Sequence, residues 1–202
     1  VFLVTPQSDL ERLFEMSRSL SFSGQVMAED FLEGPQISTE SIMWRGKAHT
    51  VGYADRNYEM LDRFAPHIIE NGGEVPGLLY PAQRQAVNDL VERAALALGI
   101  ENGVAKGDVV LTAEGPKLIE MAARLSGGDF SESLIPLGCG VNIVAEALKI
   151  AMGGEPDLDA LRPRLARWVA NRYFFPPSGV LRGVRGAEAQ VALRDSDHQA
   201  AQ

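Results

Sequence analysis

Lys106-Gly107-Asp108-Val109-Val110-Leu111-Thr112-Ala113-Glu114-Gly115-Pro116-Lys117-Leu118-Ile119-Glu120-Met121-Ala122-Ala123-Arg124 reads as two strands, residues 104–112 and 116–122, joined at Ala113-Glu114-Gly115. A turn centred on Glu114 sets Asp108 directly opposite Glu120. Cβ atoms of such a pair lie about 4.5–5.5 Å apart, and like charges there are unfavourable unless something compensates them. A divalent cation is the natural compensation, and carboxylate oxygens suit Mg²⁺, which fills its remaining positions with water and substrate phosphates. Alternation places Lys106, Asp108, Val110, Leu118, Glu120, Ala122 and Arg124 on one face and Val109, Leu111, Ile119 and Met121 on the other. The second face is core. The first is either a solvated surface or a Mg-nucleotide site in which Val110 and Leu118 form an apolar platform under a flat ring, and the pattern alone leaves both open.

Ahead of this hairpin, Pro81 suits the first position of a helix whose Val87, Leu90, Val91, Ala94 and Leu98 line one side until Gly99. Residues 37–44 and 47–54 flank Arg45-Gly46 as a second hairpin, and 55–80 form an irregular connection marked by Pro66, Gly72-Gly73 and Pro76-Gly77. Residues 1–5 read as a strand, Ser8 as the cap of a helix carrying Leu10, Leu13, Phe14 and Leu20, and 25–29 as another strand before the break at Gly34-Pro35. After the hairpin come a Gly-rich turn at Ser126-Gly127-Gly128 and a segment, 141–152, apolar enough all round to be a buried helix. Beyond Pro156 the chain becomes Arg-rich and Pro-punctuated, with strand-like pieces at 167–175, 179–184 and 188–193, which predicts a small separate subdomain.

The 202 residues, 46% hydrophobic and 23% charged, suffice for a sizeable core and exclude a disordered or collagen-like chain. Nineteen Lys+Arg against 27 Asp+Glu give a net charge of −8 with no basic stretch, which argues against nucleic acid as a main partner. No apolar run approaches the roughly 20 residues of a membrane-spanning helix, so no membrane partner is expected. The single Cys139 has no disulfide or CxxC partner and is expected to be a packed thiol in a reducing, cytoplasmic setting. The chain starts at Val1 with neither Met nor a targeting pattern, and is expected to be a piece of a longer protein.

The segment resembles the C-terminal part of an ATP-grasp ligase domain, in which a strand acid, a turn and a second strand ending in Glu-x-Asn-x-Arg precede a Gly-rich turn. Here the match is Asp108, then Glu120-Met121-Ala122-Ala123-Arg124, then Ser126-Gly127-Gly128. Ala28-Glu29-Asp30-Phe31-Leu32-Glu33-Gly34-Pro35 is similar to the hinge that holds adenine and ribose, and Phe175-Pro176-Pro177-Ser178-Gly179-Val180-Leu181 resembles the small C-terminal domain of the L-amino-acid ligase and carbamoyl-phosphate-synthetase-like branch. The resemblance implies an α+β ATP-grasp fold lacking its N-terminal part, mainly antiparallel sheet with flanking helices. Residues 1–30 would be a remnant of the small subdomain, 31–154 the large subdomain and 155–202 the C-terminal subdomain. The family's Lys-bearing strands and phosphate loop would precede Val1, and the whole enzyme would be about twice this length.

The resemblance further implies an ATP- and Mg²⁺- (or Mn²⁺-) dependent carboxylate–amine ligase that works through an acyl-phosphate, with ATP, a small carboxylic acid and an amine, amino acids among them, as partners. A homodimer is compatible with it. Alternatives are a carbamoyl-phosphate-synthetase-like or biotin-carboxylase-like enzyme, and a non-catalytic nucleotide-binding remnant. Asp108 and Glu120 would bind the metal and Arg124 would steady the transferring phosphoryl group. Glu29, Asp30, Phe31 and Leu32 would hold adenine, Gln36 the ribose, Lys106 the phosphates, and Val110 would pack on the base. Gly127 and Gly128 would cradle an oxyanion, and His67 and Glu70 fall in a segment resembling the lining of the acceptor pocket. Two departures stand out: Ala122 replaces the metal-binding Asn, and Gln36 replaces a ribose-binding acid. Arg56 reads as a surface ion pair or a phosphate ligand, and His49 and His198 as solvated, with no zinc spacing among the three histidines.

Overall fold

A computed structural model of the chain describes residues 1–186. The two expected hairpins form its centre. Strands β1 (Gln36–Trp44) and β2 (Lys47–Asn57) turn at Arg45 and Gly46, both at positive φ (50° and 76°). Strands β4 (Gly103–Thr112) and β5 (Gly115–Ala122) form the second hairpin. β1 pairs antiparallel with both β2 and β4, and β3 (Gly72–Val75) and β6 (Val169–Arg172) extend the sheet, giving the order β5-β4-β1-β2-β3-β6 with every pair antiparallel.

β1 is the most enclosed strand, because it has neighbours on both edges and layers on both faces. On one face α3 (Pro81–Ala97) lays Val87 and Val91 against Ile37, Tyr53 and Val109, and Ala95 against Met43 and Ala105. On the other face a π-helical turn (Phe130–Leu134), α4 (Ile135–Cys139) and α5 (Ile143–Ala151) bury Ile42, Val51, Ala54 and Val75. Those helices cover only part of the second face. The rest, formed by β1, β4 and β5, carries polar side chains.

Several expectations need correction. Phe2 makes one isolated bridge to His67, so residues 1–5 are not a strand, and α1 (Leu10–Leu20) is capped by Asp9, which accepts from the Arg12 N–H at 3.1 Å, while Ser8 accepts from Thr5. Residues 25–29 pair with no strand among the described residues. The connection 55–80 holds a helical turn α2 (Leu61–Phe64) as well as β3. α5 is amphipathic: Ile143 faces the core while Leu148 is exposed, because only one side meets the sheet. Residues 155–172 are not set apart as a separate subdomain. Leu161 is buried in the main core, the Arg164 and Arg167 N–H groups donate to Cys139 and Gly138 carbonyls, and β6 completes the sheet edge beside β3. Residues 179–184 form no strand, and 188–193 and His198 lie outside the described residues.

The β4–β5 register also differs in one detail. Asp108 does pair with Glu120, but Val109 then pairs with Leu118, leaving Ile119 as the extra residue of a bulge. Leu118 is thereby turned to the α3 side, where it packs with Val109, and Ile119 is 40% exposed. The expected two-residue platform is reduced to Val110.

Candidate functional site

On the uncovered part of the sheet, alternation aligns Gln36, Ser38 and Glu40 of β1 with their partners Val110, Asp108 and Lys106 of β4. Ser38 donates its hydroxyl to Asp108 Oδ1 at 2.5 Å. Lys106 Nζ donates to Asp108 Oδ2 and also to Glu120 Oε1 at 3.1 Å. The Lys106 and Asp108 side chains are only 9% and 11% exposed, whereas Glu120 is 57% exposed. The opposed carboxylates therefore have a cation between them, and it comes from the chain itself.

Glu40 is completely buried next to this group. It accepts from the Ser126 N–H at 3.1 Å and from the Ser131 hydroxyl at 2.7 Å, so it anchors the Ser126-Gly127-Gly128 turn to the sheet. Beyond the turn, the Gly128 carbonyl accepts from Asn171 at 3.0 Å. Gly127 and Gly128 are exposed at the rim of the polar face, and Arg124 lies at the end of β5, exposed, donating to the Leu125 carbonyl at 3.1 Å.

The opposite rim is the hinge segment. Gly34 has φ +139°, and a Cβ there would lie 2.2 Å from the Leu111 carbonyl oxygen, so only glycine lets the chain pass this close to β4. The Leu111 N–H donates to the Pro35 carbonyl at 2.9 Å. Glu29, Asp30, Phe31 and Leu32 thus run as irregular chain toward the end of β4 that carries Val110. Phe31 is 56% exposed.

A third side is built by the connection after β2. Arg56 and Glu70 form a largely buried ion pair, not the surface pair expected from Asp55-Arg56. The Tyr58 hydroxyl lies against Gln36, Arg56 and Asp108, and burial is the main cause that raises its pKa. His67 is exposed and packs on Phe2, ring centroids 4.9 Å apart, beside a cavity of about 290 Å³ under α1. His49 is half-buried near Glu92, and burial lowers its pKa, so it is not simply solvated. Cys139 is the packed thiol expected, its pKa raised by burial.

Glu40 was not singled out by sequence. Its signal was a run of polar residues, Ser38-Thr39-Glu40-Ser41, inside what reads as a central strand, where every polar group needs a partner. Burial raises its pKa above the ordinary 4.5, against the lowering effect of Ser126, Ser131 and Lys106. The folded chain therefore keeps this proton in a window above pH 4.5 where the unfolded chain has lost it, and stability falls as pH rises through that window. Denaturation midpoints compared across about pH 4 to 8 should decline with pH in the wild type relative to Glu40→Gln. A difference between the two that stays flat with pH would contradict a raised Glu40.

No family model matches the chain. Human carnosine synthase 1 is 26% identical over 145 residues, covering 72% of this chain and 17% of that protein. The crystal structure of L-amino acid ligase from Bacillus licheniformis superposes with TM-score 0.64 at 25% identity, over 85% of this chain and 42% of that one. The biotin carboxylase–ATP analogue complex from Campylobacter jejuni superposes with TM-score 0.59 at 21% identity, over 77% and 34%. The chain carries part of an ATP-grasp fold. It spans about a third or less of the curated relatives it matches. A biotin carboxylase domain of this fold has been crystallised with ADP and Mg²⁺, so a divalent ion is the group to test against these residues.

Two carboxylates are the kind of protein ligand Mg²⁺ shares with nucleotide phosphates. Here, however, Lys106 already bridges both, Ala122 supplies no donor, and no group of three His, Cys, Asp or Glu among the described residues is arranged to hold a metal. As arranged, the residues do not fit a resident divalent ion at Asp108 and Glu120. No helix among the described residues is long and apolar enough to cross a membrane.

Proposed function

We propose that this chain is the phosphate-handling part of an ATP-dependent carboxylate–amine ligase. The observation that carries the reading is the polar face left by the helices, where buried Lys106 and Asp108 meet exposed Glu120 between the hinge and the Ser126–Gly128 turn. The similarity to an L-amino acid ligase and to carnosine synthase 1 supports amino acids as the acid and amine. In the proposed reaction a carboxylate oxygen attacks the γ-phosphorus of ATP, the bond to the ADP oxygen breaks, and an acyl-phosphate forms. The amine then attacks the acyl carbon and phosphate leaves.

Catalysis of such transfers rests on placing positive charge and donors where negative charge develops. Arg124, exposed at the rim, would steady the transferring phosphoryl group. Lys106 would turn its ammonium to the phosphates, and the Gly127 and Gly128 N–H groups would hold an oxyanion. Glu29 to Leu32 would read the adenine edge with main-chain groups, Val110 would pack on the base, and Gln36, steadied by Tyr58, would reach a ribose hydroxyl. Glu70 serves here by holding Arg56 beside the face. A cytoplasmic setting fits the unpaired thiol.

The test is ADP release by the complete protein with a panel of amino-acid pairs. Release that requires both an acid and an amine supports the ligase. ATP bound with no turnover that depends on an amine would instead favour a nucleotide-binding remnant, the reading that Ala122 and the Lys106 bridge most favour.

A further inference from the structure

We propose that Lys106 is the resident cation of the Asp108–Glu120 pair, and that with its ammonium in place the pair does not hold a divalent ion. The inference rests on reading this face as part of a nucleotide site and deepens it.

Three observations converge. Asp108 and Glu120 are true cross-strand partners, so their mutual repulsion is built into the sheet register. The Lys106 side chain is nine-tenths buried, and its Nζ reaches one oxygen of each carboxylate. The position that pairs with Lys106 across the strands is Ala122, which has no polar atom to offer a metal.

The geometry makes the two cations mutually exclusive. A divalent ion would sit about 2.0–2.1 Å from the oxygens that now accept from Nζ if it is Mg²⁺. That position is within a few ångströms of the ammonium, in a partly enclosed setting where like charges are poorly screened. The ammonium and a divalent ion therefore cannot both occupy the pair. Asp108 is held from both oxygens, by the Ser38 hydroxyl and by Lys106. The carboxylate pair thus has its charge compensated by a side chain of the same hairpin.

Mn²⁺ binding to the nucleotide-free chain, followed by the loss of the free-ion signal in electron paramagnetic resonance, tests this directly. Wild type should show no site tighter than millimolar. Lys106→Met should gain one Mn²⁺ site, at least tenfold tighter, which is lost again in Lys106→Met combined with Glu120→Gln. Tight binding by wild type that Glu120→Gln removes would overturn the proposal, and this comparison does not depend on Lys106→Met folding. Equal affinity in wild type and folded Lys106→Met would also overturn it. Calorimetry with ATP and EDTA is run in parallel. No ATP binding alongside the expected Mn²⁺ pattern would sink the nucleotide reading and still support the cation assignment.

Discussion

Gly34→Ala should destabilise the chain by about 3 kcal/mol, measured as a shift in the urea denaturation curve at unchanged slope. The backbone at Gly34 lies at φ +139°, a region that costs a residue with a Cβ on the order of 1–3 kcal/mol. The added methyl would also overlap the Leu111 carbonyl oxygen at 2.2 Å, and that oxygen belongs to the β4 backbone and cannot rotate away. Relief therefore requires the hinge to lift from β4, which breaks the Leu111 to Pro35 hydrogen bond. If Glu29 to Leu32 hold adenine, nucleotide affinity should fall together with stability. A loss below about 0.5 kcal/mol, the size of an ordinary surface change, would show that the hinge is not held this tightly.

Arg124→Ala should slow amine-dependent ADP release by the complete protein about 100- to 1,000-fold, the usual effect of removing a donor aimed at developing charge. Stability should barely change, because Arg124 is exposed and makes one hydrogen bond to the neighbouring Leu125 carbonyl. That separation distinguishes a catalytic role from a structural one. A rate within threefold of wild type, with nucleotide binding intact, would remove Arg124 from the reaction.

The two hairpins were legible because they are local. Arg45-Gly46 and Ala113-Glu114-Gly115 specify where the chain reverses, and a reversal at Glu114 leaves little choice about what Asp108 faces. The helix from Pro81 to Ala97 was equally legible, since its apolar stripe and its stop at Gly99 lie within one segment. The bulge at Ile119 was not, because alternation assumes that no residue is skipped, and it moved Leu118 from the polar face to the core. Residues 155–202 read as a separate unit from their composition, yet within them β6 finds its partner in β3 nearly 100 residues earlier in the chain.

The sequence by itself determined that an acid pair would face across a hairpin, that a lysine would stand on the same face, and that an arginine and a Gly-rich turn would follow. Period-two alternation and a short turn suffice for that. Only the tertiary structure decided which part of the sheet stays uncovered, since this depends on where the helices after Phe130 come to rest on β1 and β2. It also decided that Glu40 would anchor the Ser126 turn across 86 residues of chain, and that Arg56 would be buried against Glu70. Above all it placed the Lys106 ammonium on both carboxylates. Burial on a central strand pair leaves a charged lysine few positions to satisfy its donors, and the opposed acids provide two of them.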